Sequence, residues 1–281
     1  MNKIELEKLI TDHYEKKIDE LDEESNQLFE IFINKLDRGE IRAAEKKDGV
    51  WKVNTWVKQG ILLGFRLGTN ADFSLNDHFQ FCDKQTYPLK NLKPLAKNNI
   101  RLVPGGSSVR RGAYLGNQVT LMPPMYINVG AYVDEGTMID SHALVGSCAQ
   151  IGRRVHLSAG SQVGGILEPI GALPVIIEDD VLVGGNCGIY EGTIIQTGAV
   201  LGAGTILTGS VPVYDLITEQ IFRGSSETPL IIPTNAIVVP GSRKIQNNFA
   251  LLHGLQISCP VIVKYRDSST NLSTTLEELL R

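Results

Sequence analysis

From Val109 the sequence carries an aliphatic residue at every sixth position: Val109, Leu115, Leu121, Ile127, Val133, Ile139, Val145, Ile151, Leu157 and Val163. An α-helix repeats its apolar face near 3.6 residues and a half-buried strand alternates by two, so neither accounts for strict sixes. Two positions ahead of these residues stand Ser107, Ala113, Val119, Met125, Ala131, Thr137, Ala143, Ala149, Val155 and Ser161, small or β-branched except Met125. The rhythm breaks at GILEPIGALP and resumes as Ile177, Val183, Ile189, Ile195, Leu201 and Leu207; the step of 14 from Val163 to Ile177 marks an inserted loop.

Each hexad reads as one short strand plus a corner; three hexads make a triangular coil, and coils stack through parallel ladders. The aliphatic residue fills the prism, and glycine is tolerated where the backbone bends sharply. The fold class is mostly β, with a parallel β-helix over 101–245. Leucine-rich repeats need twenty or more residues per unit and coiled coils a period of 3.5, so neither fits.

The first hundred residues have a different character. They hold 16 Lys+Arg and 17 Asp+Glu, against 11 and 14 in the remaining 181, while glycine thickens beyond Gly105. Ile4, Leu6, Leu9 and Ile10 with Ile18 and Leu21, then Leu28, Ile31, Phe32 and Leu36, recur near 3.6 and predict two amphipathic helices, the second ended by Gly39. AEKKDGVWKVN has the turn and flanks of a hairpin, and TWVKQGILLGFRL reads as a third apolar helix or a strand. The expected organisation is a helical N-terminal domain over 1–100, the β-helix over 101–245 and a small C-terminal segment over 246–281.

Composition narrows the function. Net charge is −4 with no long basic run, which leaves nucleic acid and anionic membranes without an electrostatic footprint. The charged start MNKIELEKLITDHYEKK lacks the apolar core of a signal peptide, and no window approaches 18 uninterrupted apolar residues, so a soluble cytoplasmic protein is expected. Cys82, Cys148, Cys187 and Cys259 form no CxxC pair and read as reduced, mostly buried thiols. Only His142 and His156 lie in the coils, so a trihistidine metal site there is unsupported and no metal is expected.

The hexads resemble those of the hexapeptide-repeat acyltransferases, whose β-helix is left-handed, an exception to the usual crossover rule. More specific are RAAEKKDGVWKVNTWVKQGILLGFRL at 42–67, NIRLVPGGSSVRRGAYLGNQVTLMP at 99–123, NVGAYVDEGTMID followed by VGSCAQIGRRVHLSAG, VIIEDDVLVG running into YEGTII, and an end carrying CPVIVKYRD and LEELLR. In this order they resemble the tetrahydrodipicolinate N-succinyltransferase family. NCGIYEG departs from the family pattern ahead of its glutamate. The resemblance implies succinyl transfer from succinyl-CoA, a cosubstrate and not a permanently bound cofactor, to the amine of a dicarboxylate in the diaminopimelate route to lysine. It also implies a homotrimer with sites between neighbouring β-helices.

That chemistry needs a cation for the carboxylates, a base for the amine proton and a slot for pantetheine. Direct amine attack on the thioester requires no covalent enzyme intermediate. Arg101 matches the family residue that grips a substrate carboxylate, for which a guanidinium has bidentate geometry. Asp140, directly after interior Ile139, should point out of the prism and matches the family's substrate-binding aspartate; Glu191 matches the glutamate beside the amine and takes the general-base role. Of the adjacent Arg110 and Arg111, at most one should face the site. LGAGTILTG offers Gly202, Ala203 and Gly204 as small residues along which pantetheine can lie, with Arg243 and Lys244 at the phosphate end. His156 reads as structural and His142 as a contributor to site polarity.

Asp140 and Glu191 are 51 residues apart. Without the inserted loop this leaves over two coils of about 18 residues, stacked about 4.8 Å apart and so roughly 10 Å along the axis, with the two hexads on different faces. One chain should not bring both carboxylates onto one amine; Asp140 of one subunit paired with Glu191 of another would. A CoA-dependent N-acyltransferase with an acetyl donor is the alternative within this fold. A non-catalytic scaffold would need no Arg101, Asp140 and Glu191 together.

Overall fold

The computed structural model describes residues 1–93, 98–225 and 228–267, so the closing LEELLR lies outside the described residues. The hexads form a left-handed parallel β-helix with three walls. Wall one starts at Arg101–Leu102 and runs through Thr120–Leu121, Met138–Ile139, His156–Leu157, Leu182–Val183 and Val200–Leu201 to Ala236–Lys244. Wall two runs from Ser108–Val109 to Ile206–Leu207, and wall three from Tyr114–Leu115 to Ile231–Ile232. Pairs such as Leu115 with Val133 and Ile139 with Leu157 set the 18-residue coil. Every aliphatic residue of the six-residue series is at most 3% exposed, which is the burial that makes the period obligatory.

After most interior residues the chain turns through three corner positions, and the third takes a left-handed backbone, as at Gly130, Gly136, His142, Cys148 and Asn186. The first interruption is a loop of eight extra residues: Gln150 pairs with Ile176, eight beyond the repeat. A second interruption follows Leu207, because Ile195 pairs next with Ile232. Between them lies a hairpin, Val213–Asp215 against Gln220–Phe222. The sequence hides this insertion because Val213 falls six places after Leu207 and is fully buried against the same core. The strand Ala236–Lys244 then doubles back through helix α4 (Asn248–Leu252) into Gln256–Tyr265, so residue 246 lies within one antiparallel hairpin.

The N-terminal region contains α1 (Lys3–Glu15), α2 (Glu23–Asp37), a hairpin of β1 (Ala44–Lys47) with β2 (Val50–Val53), and α3 (Thr55–Leu67). Asn2 and Asp22 cap the first two helices by accepting from the Glu5 and Ser25 amides. TWVKQGILLGFRL is helical, with Trp56, Val57, Ile61 and Leu63 buried. Ile4 and Ile18 are exposed: the buried stripe of α1 is Leu6, Ile10 and His13, which puts Ile4 on the other face, and Ile18 sits in a 3₁₀ turn beyond the helix. The helical core takes in Val129 and Cys148 from the corner between walls two and three. Arg110 pairs with Asp83, and Arg111 pairs with Glu30 at 2.6 Å, so both guanidiniums fasten the N-terminal region to the first coils. Cys148, Cys187 and Cys259 are buried and Cys82 is exposed, all as free thiols. No helix among the described residues is long and apolar enough to cross a membrane.

Candidate active site

Asp140 opens a corner between walls one and two. Its Oδ1 accepts from the Ser141 amide at 2.7 Å, while Oδ2 faces His156 Nε2 at 3.9 Å. His156 sits one rung away on wall one, paired with Met138, and its Nε2 is shielded with no hydrogen-bond partner among the described residues. Arg101 is exposed in the first strand of the same wall, held through its amide to the Val119 carbonyl at 2.9 Å. Ladder pairs Arg101–Thr120 and Thr120–Met138 put it two rungs, about 10 Å, from Met138. Its guanidinium has no ion-pair partner among the described residues. Arg101, Asp140 and His156 thus share the outer face of wall one and the corner that follows it.

The same column of corners continues as Ser158–Ala159–Gly160, Gly184–Gly185–Asn186 and Gly202–Ala203–Gly204. Three rungs, about 14 Å, separate Asp140 from Gly202. Ala203 and Gly204 are exposed, whereas Gly202 is buried and its carbonyl accepts from Thr205 Oγ1 at 2.7 Å. Pro240 stands 3.9 Å from where a Cβ on Gly204 would lie, and beyond it the strand ends at exposed Lys244, with Arg243 half-buried beside it. His142, the left-handed residue of the Asp140 corner, opens onto a shallow hollow with Tyr126 and Gln162.

Glu191 occupies a different corner column, between walls two and three. The register places Ile189 on wall two and Ile139 on wall one, two coils and one face apart, so one chain does not bring Asp140 and Glu191 together. Glu191 is exposed, and its Oε2 accepts from the Gly209 amide at 2.7 Å. Its backbone sets it apart: φ is 54° at the second corner position, and Gly192 follows at 70°, whereas other corners confine the left-handed residue to the third position. Two successive left-handed residues, one with a side chain, form a costly turn of the kind that persists where surroundings hold it. Gly192 has no room for a Cβ, which would meet the Leu173 carbonyl at 2.7 Å. Tyr190, in the divergent NCGIYEG segment, lies over the missing side chain of Gly188: a Cβ there would be 2.5 Å from its ring.

Glu191 lines a cleft of about 1170 Å³ between the β1–β2 hairpin, the 164–173 loop and wall three. The hairpin is pinned by Glu178, whose Oε1 accepts from Lys46 Nζ at 2.7 Å and Trp51 Nε1 at 2.8 Å. Burial pushes the Glu178 carboxyl up, but these donors together with the Thr197 amide hold it below its ordinary value. Sequence reasoning missed these walls of the cleft; the only available signal was the break at GILEPIGALP, which marks a loop and not what it encloses.

Residues 5–67 match the family profile described as tetrahydrodipicolinate N-succinyltransferase N-terminal, and residues 174–209 match that of the hexapeptide repeat of succinyl-transferase. A Paraburkholderia phymatum protein named 2,3,4,5-tetrahydropyridine-2,6-dicarboxylate N-succinyltransferase is 43% identical over 89% of this chain and 86% of its own. The chain belongs to the tetrahydrodipicolinate N-succinyltransferase family. An Afipia carboxidovorans member is 40% identical over 90% of this chain and 88% of its own, and one from Acinetobacter baylyi 38% over 91% and 89%. A solved Campylobacter jejuni structure, named for 2,3,4,5-tetrahydropyridine-2-carboxylate N-succinyltransferase, has 15% identity and a TM-score of 0.47 over 84% of this chain and 62% of its own. Like its family, this chain is an acyltransferase. The N-terminal profile ends with α3, so the helices, the hairpin that walls the cleft and the coils around Glu191 all fall within stretches the family shares.

Proposed function

We propose that the protein transfers succinyl from succinyl-CoA to the amino group of tetrahydrodipicolinate in its acyclic form, 2-amino-6-oxopimelate, in the diaminopimelate route to lysine. The observation that carries the residue-level reading is the Glu191 corner, an exposed carboxylate on a doubly left-handed turn facing a large cleft. Glu191 takes the proton from the attacking amine as the tetrahedral centre forms; the N–C bond is made, the C–S bond breaks, and the same proton passes from the Glu191 carboxyl to the CoA thiolate as it leaves. Asp140 holds the amine, and Arg101 grips a carboxylate with paired N–H donors. Pantetheine lies along the small-residue column through Gly202, Ala203 and Gly204, and Lys244 meets the phosphates of CoA. CoA is a cosubstrate and no permanent cofactor is needed.

Asp140 and Glu191 meet only across subunits, so the working form is a homotrimer with sites between neighbouring β-helices, acting in the cytoplasm. The separate corner columns of the two carboxylates support this arrangement. Thiol release from succinyl-CoA and acetyl-CoA, each with L-2-aminopimelate as the stable acceptor, tests the reaction. Release with succinyl-CoA that depends on the amine is expected. Faster amine-dependent release from acetyl-CoA would reassign the donor, and release from neither thioester would refute transferase activity toward this amine.

A further inference from the structure

The corners of the prism are crowded at their first position, directly after the interior residue. At Gly116, Gly146, Gly152 and Gly184 a Cβ would come within 2.7 Å of a backbone nitrogen one coil on. Tyr190 is the one aromatic residue at this position in the hexad series. It fits because two neighbours carry no side chain. A Cβ on Gly164, which holds the same position one coil earlier, would lie 2.8 Å from Tyr190 Cδ1. One on Gly188 would lie 2.5 Å from Cε2 and 2.9 Å from the hydroxyl oxygen. Gly188 is also the one glycine at the outward position of a hexad strand. The ring is therefore folded back over wall two with its hydroxyl above Gly188, and Ile206 Cδ1 stands 3.0 Å from the same Cβ point.

Packing does not account for the hydroxyl. Tyr190 is half-buried, and its hydroxyl has no hydrogen-bond partner among the described residues. A phenylalanine would cover the two glycines equally well, so the phenol adds a donor that the fold does not use. Gly188 pairs with Gln162, and Gln162 with Leu144, where wall two resumes after the Asp140 corner. The hydroxyl thus shares an outer face with that corner, two rungs or about 10 Å along the axis. Tyr190 also lines the large cleft. We propose that Tyr190 is a specificity-determining residue whose hydroxyl donates a hydrogen bond to a substrate carboxylate, either the free end of the succinyl group or one on the amine acceptor. This rests on the reaction proposed above and not on which residue takes the amine proton.

Tyr190→Phe removes only the hydroxyl. Calorimetry on the full chain measures its affinity for succinyl-CoA, butyryl-CoA and L-2-aminopimelate, and thiol release gives the two KM values. One carboxylate ligand should bind about tenfold more weakly, with the melting temperature unchanged. Loss confined to succinyl-CoA, with butyryl-CoA bound as before, assigns the acyl carboxylate; loss confined to L-2-aminopimelate assigns the acceptor. Gly188→Ala, whose Cβ displaces the ring, should reproduce that loss, and adding it to Tyr190→Phe should change the affinity by no more than about twofold. Tyr190→Phe that binds both carboxylate ligands within about twofold of wild type, or that weakens butyryl-CoA as much as succinyl-CoA, would overturn the proposal. Wild-type protein that binds the ligands but releases no thiol with the amine would refute the reaction instead, and the affinities of Tyr190→Phe would still decide the role of the hydroxyl. Wild-type protein that binds neither carboxylate ligand would overturn both.

Discussion

Glu191 illustrates how a backbone can mark a residue that its neighbours in sequence do not. Its φ of 54°, followed by 70° at Gly192, is held by Gly209 on one side and Leu173 on the other. Gly192→Ala forces a Cβ toward that carbonyl and should depress kcat while leaving the fold intact, checked by activity beside circular dichroism; an unchanged kcat would show that the corner tolerates displacement. Arg101→Lys keeps the charge but loses the paired donors, so KM for the amine substrate should rise about tenfold with KM for succinyl-CoA unaffected. Equal effects on both constants would remove Arg101 from the carboxylate. Arg101, Asp140 and Glu191 could be proposed from the sequence because motifs with fixed spacing surround them. The burial of Lys58 was not legible, because a lysine in a helix ordinarily reads as solvated and its bond to the Ala172 carbonyl joins residues far apart in sequence.

At the scale of elements, the hexad period was fully informative about the prism because each interior side chain has one place to go. Ile139→Ala should cost about 2–5 kcal/mol in denaturant unfolding, whereas Met138→Ala, on the outward side of the same strand, should cost much less. Comparable losses would contradict the inward and outward assignment. The hairpin was legible from its Asp-Gly turn, but its docking through Glu178 was not, since that contact joins residues far apart in sequence. Its pH dependence follows from the sign of the shift. The Glu178 carboxyl is held below its ordinary value of 4.5, so the docking contribution is complete above that value and is lost as pH falls through the lower folded value. Trp51 emission should therefore shift to the red in acid, and Glu178→Gln should abolish that transition. A pH-independent Trp51 in the wild-type protein would contradict it.

For the whole molecule, the six-residue series foretold one loop and concealed another. The 164–173 loop breaks the rhythm visibly, whereas the second insertion keeps Val213 on the beat and so reads as one more coil. What the rhythm did foretell is that Ile139 and Ile189 stand on different walls, and the register puts them there. That separation is the reason a complete site is assigned to two chains. The most direct measurement mixes Asp140→Asn and Glu191→Gln chains, each inactive alone, by co-refolding or co-expression. Mixed assemblies should regain part of the amine-dependent thiol release, because a neighbouring pair of chains can present an intact Asp140 and an intact Glu191 to one substrate. Mixed assemblies as inactive as either parent, with subunit exchange verified, would contradict a site shared between subunits.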